Sequence, residues 1–325
     1  MYESNKLELS IIIPIFNEAK NIFKLYQEII NACSKLRKSY EIIFVDDGSH
    51  DESFAVLKKI HREDCRVKII RLRKNYGQTS AISAGFDYAN GDIIITIDGD
   101  LQNDPNDFGI LLKKIEEGYD LVCGWRIKRK DNFLTRKLPS AIANWIISVI
   151  THVKLHDYGC TLKAFRKEIA KNIKLYGEQH RFIPAIASNM GVSITEVKVN
   201  HRPRWRGKSN YSIKRFIKVI LDLFTVKFLM TYSTRPLQIF GIFGILSGAI
   251  GFIIAIYLSY QRLILKVGIS GRPLLLLAIL LIVIGIQFIT LGLLGEIMVR
   301  SHHESQEKRT YFIREIVDSD KDKSS

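Results

Sequence analysis

The chain has 325 residues, enough for two domains, with 47% hydrophobic residues and a net charge of +15. Its four cysteines (Cys33, Cys65, Cys123, Cys160) show no paired spacing, which argues against a disulfide framework and reads as reduced core positions. The positive excess gathers in residues 126–137 and 198–218, a pattern for polyanions, and without a helix-turn-helix, zinc-finger or RNA-binding signature it favours phosphate and anionic lipid and excludes nucleic acid as a partner.

Residues 8–14 read as a buried strand stopped by Pro14. Asn17 is placed to cap the next helix, with Glu18 in its first turn. That helix repeats Ile22, Leu25, Ile29, Cys33 and Leu36 at helical spacing. A second strand, 40–45, runs into Asp46, Asp47, Gly48 and Ser49. A helix over 52–63, a strand over 67–72, a loop over 73–77 and a helix over 78–90 follow. The fourth strand, 92–97, ends in Asp98, Gly99 and Asp100; Pro105 opens another helix, and 119–124 is a fifth strand. Strands alternating with helices imply a mostly parallel sheet covered on both faces. Ligands of such sheets bind at the carboxyl ends of the strands, where this chain concentrates its acids. No GxGxxG follows the first strand, which disfavours a dinucleotide fold.

Asp98 and Asp100 lie two apart, so in an extended segment their carboxylates point the same way. Two acids at the end of a buried strand call for a positive occupant. Oxygen ligands suit Mg²⁺ or Mn²⁺, which share their shell with phosphates and water, and Gln102 offers a third oxygen.

Further on, residues 236–261 and 273–295 carry no charged side chain, and each is long enough to cross a bilayer as a helix. Neither is N-terminal, so neither reads as a signal peptide. The basic residues before the first and after the second predict two spans with the catalytic part and both termini cytoplasmic. Residues 139–153 and 211–230 read as amphipathic helices, the second in the membrane interface. The tail after Arg300 reads as solvated or disordered.

Four stretches then carry a resemblance: Pro14-Ile15-Phe16-Asn17-Glu18, Asp46-Asp47-Gly48-Ser49, Asp98-Gly99-Asp100-Leu101-Gln102 and Arg204-Trp205-Arg206-Gly207-Lys208-Ser209. Their order resembles family 2 glycosyltransferases, in the polyprenyl-phosphate branch that includes dolichol-phosphate mannose synthase. The trailing spans are similar to the bacterial polyprenyl-phosphate glucosyltransferase type. The resemblance implies a GT-A fold, Rossmann-like with a mostly parallel sheet, over 1–209, an interfacial helix over 210–234, two spans over 235–299 (about 236–261 and 273–298) and a tail over 300–325. It implies a nucleotide-sugar donor, with UDP-glucose the preferred reading, and a polyprenyl (undecaprenyl-like) phosphate acceptor. Pro14, Phe16, Glu18 and Asp46 or Asp47 would hold the nucleoside, and Asp98, Asp100 and Gln102 the metal on the donor diphosphate, with Asp98 also touching the donor. Asp157 would act as base or orient the acceptor, with Asp100 as the other catalytic acid. Arg126, Arg136, Arg204 and Arg206 match phosphate clamps. His180 and Arg181 point to the donor side. Mannose, galactose or a modified arabinose are the alternative sugars. A processive polysaccharide synthase and an inactive nucleotide-sugar-binding scaffold are the alternative functions, and self-association through the helices is compatible with the sequence.

Overall fold

The structure is a computed structural model; it describes residues 7–127, 148, 153–175, 177, 179–203, 236–266, 268, 273–304 and 310–318. The helices expected over 139–153 and 211–230, and Arg136, Arg204 and Arg206, lie outside the described residues. The chain divides into two units, Met1–Val226 with Arg309–Ser325, and Lys227–Lys308.

The first unit is built on one sheet of eight strands: β1 Leu9–Ile15, β2 Tyr40–Asp46, β3 Val67–Leu72, β4 Ile93–Thr96, β5 Leu121–Arg126, β6 Lys163–Arg166, β7 Ile194–Val199 and β8 Ile313–Val317. The spatial order is β7-β5-β6-β4-β1-β2-β3-β8. β4, β1, β2 and β3 are parallel neighbours, and the central Ile-rich strands are buried on both faces, as their unbroken apolar runs require. Four helices connect them: α1 Ala19–Leu36, α2 Ser53–Glu63, α3 Gln78–Tyr88 and α4 Phe108–Glu116. α1 turns Ile22, Leu25, Ile29 and Cys33 inward, the stripe read from the sequence. Two short helices, α5 Lys167–Asn172 and α6 Ile183–Ser188, follow β6.

β6 is antiparallel to both β4 and β5, and it governs the site. Thr96 at the end of β4 pairs with Lys163 at the start of β6. The segment entering β6 is thereby delivered to the edge where β1, β2 and β4 terminate. β5 and β7 end at that edge too, with Arg126 opposite Val199.

Two expectations are corrected here. The tail is not wholly solvated: β8 pairs antiparallel with the edge strand β3, Arg73 N–H donates to Phe312 O at 2.9 Å, and buried Tyr311 donates to Asp87 at 2.5 Å. Ion pairs Lys58–Glu315 at 2.8 Å and Lys68–Asp318 at 2.9 Å flank it. Backbone pairing to an open edge outweighs the segment's polar composition. Cys65, expected in the core, is exposed, whereas Cys33, Cys123 and Cys160 are buried.

The second unit holds α7 Pro236–Leu263 and α8 Pro273–Glu304. Within them Phe240–Leu263 and Pro273–Met298 are long and apolar enough to cross a membrane. The pair packs backbone to backbone through small residues: a Cβ placed on Gly244 would stand 2.7 Å from Gly285 O, and one on Gly285 2.7 Å from Gly244 O. The large apolar side chains of both helices point outward, as in a lipid-facing pair.

Candidate active site

The loop after β1 and the loop after β2 are stitched together. Asn17, with φ 55°, does not cap α1; its side chain accepts the His50 N–H at 2.9 Å. The first amides of the α1 entry go instead to the partner loop: Asn17 N–H to Ser49 Oγ at 3.0 Å, Glu18 N–H to Ser53 Oγ at 3.0 Å and Ala19 N–H to Asp51 at 3.2 Å. Phe16 is left 41% exposed at the mouth, edge-on to the His50 ring.

The second acidic pair divides its labour. Asp47 accepts the Tyr76 N–H at 2.7 Å and the Gly77 N–H at 2.8 Å, so it fixes the loop that starts α3. Asp46 accepts the Ser49 N–H through Oδ1 at 2.9 Å, while its buried Oδ2 has no hydrogen-bond partner among the described residues and stands 3.3 Å from Arg71 Nε. Arg71 supplies its counter-charge, and the oxygen keeps acceptor capacity for a ligand N–H. Between them, Gly48 has φ +68°, and a Cβ there would come within 2.5 Å of the Lys74 carbonyl carbon. Gly48→Ala is expected to destabilise the first unit by about 2–4 kcal/mol, from left-handed strain plus overlap with backbone; denaturant unfolding measures it, and an unchanged midpoint would refute the close approach.

Burial, against the two amide hydrogen bonds and with the charge of Asp46 adding, pushes the Asp47 carboxyl up to about 6. Its protonated form is therefore favoured by the fold. The stabilising contribution is full below the unfolded carboxyl value near 4 and is lost as pH rises through about 6. Wild type is expected to lose on the order of 3 kcal/mol more than Asp47→Asn between pH 4 and pH 7. Parallel melting curves of the two proteins would contradict this.

The Asp98–Gln102 turn lies directly against the first loop: a Cβ on Gly99 would stand 2.7 Å from Ile15 Cδ1 and 3.2 Å from Pro14 O. Asp98 accepts Gln78 Nε2–H at 2.7 Å. Its carboxyl is raised, first by burial and then by the charge of Asp100; Thr161, Arg126 and Lys163 oppose without prevailing. Asp100 accepts the Gln102 N–H at 3.1 Å, and Leu101 sits at φ 64°. Among the described residues no three His, Cys, Asp or Glu side chains form a ready-made metal cage. Two mutually repelling carboxylates at one turn fit a divalent ion whose remaining positions go to donor phosphates and water.

Asp157 and Arg126 meet. Arg126 Nε–H donates to Asp157 Oδ2 at 2.6 Å and Nη2–H to Oδ1 at 2.8 Å, a two-point fork in a nearly closed site. Burial disfavours the Arg126 charge, but the hydrogen bonds and charge of Asp157 outweigh it and raise its pKa. The fork uses two of the five guanidinium donors and leaves three. Arg126 is also near enough for its charge to act on Asp98.

The exit of β7 closes the edge. Asn200 N–H donates to Asp107 at 2.6 Å, Arg202 N–H donates to Gln102 O at 2.8 Å, and the Arg202 side chain bridges Glu28 at 2.6 Å and Asp104 at 2.8 Å. His180 shares a 2.9 Å hydrogen bond with Thr79 in the first turn of α3, and Arg181 follows it. The structure thus brings Pro14, Phe16, Glu18, Asp46, Asp47, Asp98, Asp100, Gln102, Arg126 and Asp157 to one edge of the sheet. Gln78, Thr161 and Lys163 belong there as well and were not read from the sequence. Only the antiparallel sense of β6 places the last two.

Residues 10–174 match the family described as Glycosyl transferase family 2. A dodecaprenyl-phosphate galacturonate synthase of Rhizobium johnstonii is 42% identical, covering 96% of this chain and 94% of its own length. An undecaprenyl-phosphate 4-deoxy-4-formamido-L-arabinose transferase of Photorhabdus laumondii is 37% identical, covering 97% and 95%. Among solved structures, glucosyl-3-phosphoglycerate synthase of Mycobacterium tuberculosis, in complex with Mn²⁺, UDP and glucosyl-3-phosphoglycerate, superposes with a TM-score of 0.51 over 70% of this chain and 82% of that one, at 16% identity, a likeness of fold. The fold is GT-A-like, and by family match and near full-length identity alike the chain belongs to glycosyl transferase family 2 and is a glycosyltransferase.

Proposed function

We propose that the chain transfers a sugar from a nucleotide-sugar to polyprenyl phosphate at the cytoplasmic face of a membrane, with inversion at the anomeric carbon. The observation that carries this is the pairing of charges at the sheet edge: Asp98 and Asp100 on one side, the Arg126–Asp157 fork beside them. Two anionic substrates must meet, and fixed cations between them lower that barrier. The two relatives, a dodecaprenyl-phosphate and an undecaprenyl-phosphate sugar transferase aligned over nearly their full length, support the acceptor.

In this reading Phe16 and the Asp46 carboxylate receive the nucleoside, and Asp47 is the brace that shapes their loop. Asp98, Asp100 and Gln102 would hold Mg²⁺ or Mn²⁺, which when bound neutralises the departing diphosphate. An acceptor phosphate oxygen forms the new bond to the anomeric carbon as the bond to the diphosphate breaks. That phosphate already carries charge near neutral pH, its second pKa being about 6. It needs little from a base, and a carboxylate engaged by an arginine fork is a poor one. Asp157 is accordingly assigned to positioning Arg126. Arg204 and Arg206, which lie outside the described residues, are assigned as further clamps on the acceptor phosphate by their residue type.

The sugar preference changes. Glucose, the preferred reading of the sequence, has less support than its alternative, because the relatives act with galacturonate and 4-deoxy-4-formamido-L-arabinose. Two crossings are supported by the two apolar helices and by β8, which follows them in the chain and belongs to the first unit. The basic flanks support the reading of both ends as cytoplasmic.

The test is a donor screen with purified protein, a short polyprenyl phosphate and Mn²⁺, following label into the organic phase. Transfer from at least one sugar nucleotide is expected. Retained nucleotide binding with no transfer from any donor would replace the enzyme reading by a scaffold.

A further inference from the structure

Three neighbouring strands carry one row of charge beside the nucleoside loop. Asp46 of β2 stands opposite Arg71 of β3, and Arg71 stands opposite Glu315 of β8. Residues directly opposite in adjacent strands share a face of the sheet, and α2 packs on this one. The Arg71 guanidinium lies over the Phe54 ring of α2, 4.0 Å from its centroid, and the Lys58 ammonium lies over the same ring at 4.6 Å. Each of these two cations has its own acid. Lys58 takes Glu315 at 2.8 Å, and Arg71 stands 3.3 Å from Asp46 Oδ2. Asp46 is fully buried, so the counter-charge that Arg71 supplies is felt with little screening.

The C-terminal tail holds Arg71 in this position. Arg71 is the last rung of the ladder between β3 and β2. Beyond it, Leu72 lies opposite Ile313, and Arg73 N–H donates to Phe312 O at 2.9 Å, so the exit of β3 is paired to β8. The register shifts between these rungs, with Arg314 as the extra residue, and a bulge pins the register of the strands it joins. β8 is itself fastened before and after its pairing. Tyr311, 3% exposed, donates to Asp87 at 2.5 Å, and Asp318 pairs at 2.9 Å with Lys68, which is 8% exposed. Without β8, β3 would be an open edge whose last rung carries the counter-charge of the nucleoside carboxylate.

We propose that β8 is a positioning strand of the donor site: it holds Arg71 against Asp46, and nucleotide affinity depends on it. Arg71 acts through Asp46 and is a positioning residue. A strand that follows both apolar helices in the chain thus completes a site whose other parts lie before them. The inference rests on the placement of the nucleoside at Asp46 in the reading above.

The experiment is titration calorimetry of the full-length protein with UDP, without metal, so that the acidic turn at Asp98 does not contribute. Arg71→Met is expected to weaken UDP at least about tenfold, and Arg71→Lys, which keeps the charge, should stay within about threefold of wild type. In an Asp46→Asn background Arg71→Met should change UDP affinity by less than about twofold, because the carboxylate through which it acts is gone. That background also removes the unpaired buried charge, which keeps the test decisive if Arg71→Met alone does not fold. Tyr311→Ala with Ile316→Pro frees β8, the release being read as faster hydrogen exchange at residues 68–73. This variant should weaken UDP at least about threefold in the wild-type background and leave it unchanged in the Arg71→Met background. Wild-type UDP affinity in Arg71→Met, an undiminished effect of that change beside Asp46→Asn, or a loss on freeing β8 that persists without Arg71 would each overturn the proposal. So would a wild-type protein that binds no UDP. The full expected pattern in a protein that transfers no sugar to polyprenyl phosphate would sustain the role of β8 and remove the transfer reading instead.

Discussion

Asp100→Ala is expected to lower sugar transfer by about three orders of magnitude at saturating Mn²⁺, the equivalent of roughly 4 kcal/mol of transition-state stabilisation. The carboxylate has two tasks: it accepts the Gln102 N–H at 3.1 Å and it shares the turn with Asp98. Asp100→Asn separates them, because an amide oxygen still accepts that N–H but supplies no charge. Both variants should lose turnover, and only the alanine variant should also lose stability. Affinity for UDP measured without metal should be untouched, since Phe16 and Asp46 lie on the other loops. Metal-dependent rates equal to wild type in the asparagine variant would remove Asp100 from the metal site.

The Arg126–Asp157 pair is expected to give the largest stability effect. Removing one member leaves the other charged in a site where the two side chains are 13% and 5% exposed. Breaking a buried pair in this way costs about 3–5 kcal/mol, whereas replacing both partners by apolar residues of similar size is often neutral. Asp157→Ala and Arg126→Ala should therefore each lower the unfolding midpoint strongly, and Arg126→Met with Asp157→Leu should recover most of it. Activity should follow the other course and be lost in all three, because the cation is missing from two of them and is no longer held in place in Asp157→Ala. A double variant as unstable as the single ones would show that the surrounding loop, and not the pair, sets stability. A stable double variant that still transfers sugar would take the pair out of the reaction.

How much of this was legible follows from the range of the interactions. β1 to β5 are local patterns of apolar runs, and they stand within two residues of where the sequence placed them, β1 running through Pro14 to Ile15 and β5 shifted to Leu121–Arg126. The acids at the ends of β1, β2 and β4 were legible too, since parallel strands share one carboxyl edge. Asp47 could not be told from Asp46, because the choice depends on amides of Tyr76 and Gly77, some 30 residues on. β8 was missed for a related reason. Ile313–Val317 carries Arg314 and Glu315, the composition of a solvated tail and equally of a protected edge strand; only the partner, β3, distinguishes them. The Arg126–Asp157 fork, recorded in the sequence as two separate candidates, exists because β6 runs backwards between β5 and β4, and no local periodicity encodes a strand's direction.

The central claim is that a divalent cation gripped by Asp98 and Asp100 is where the donor diphosphate is held. The most direct measurement is anomalous diffraction at the manganese edge from crystals of the protein grown with Mn²⁺ and a non-hydrolysable nucleotide-sugar. The expected result is one strong peak between the Asp98 and Asp100 carboxylates and the donor diphosphate, abolished in Asp100→Ala. An ordered nucleotide bound elsewhere, with no manganese at that turn, would contradict it.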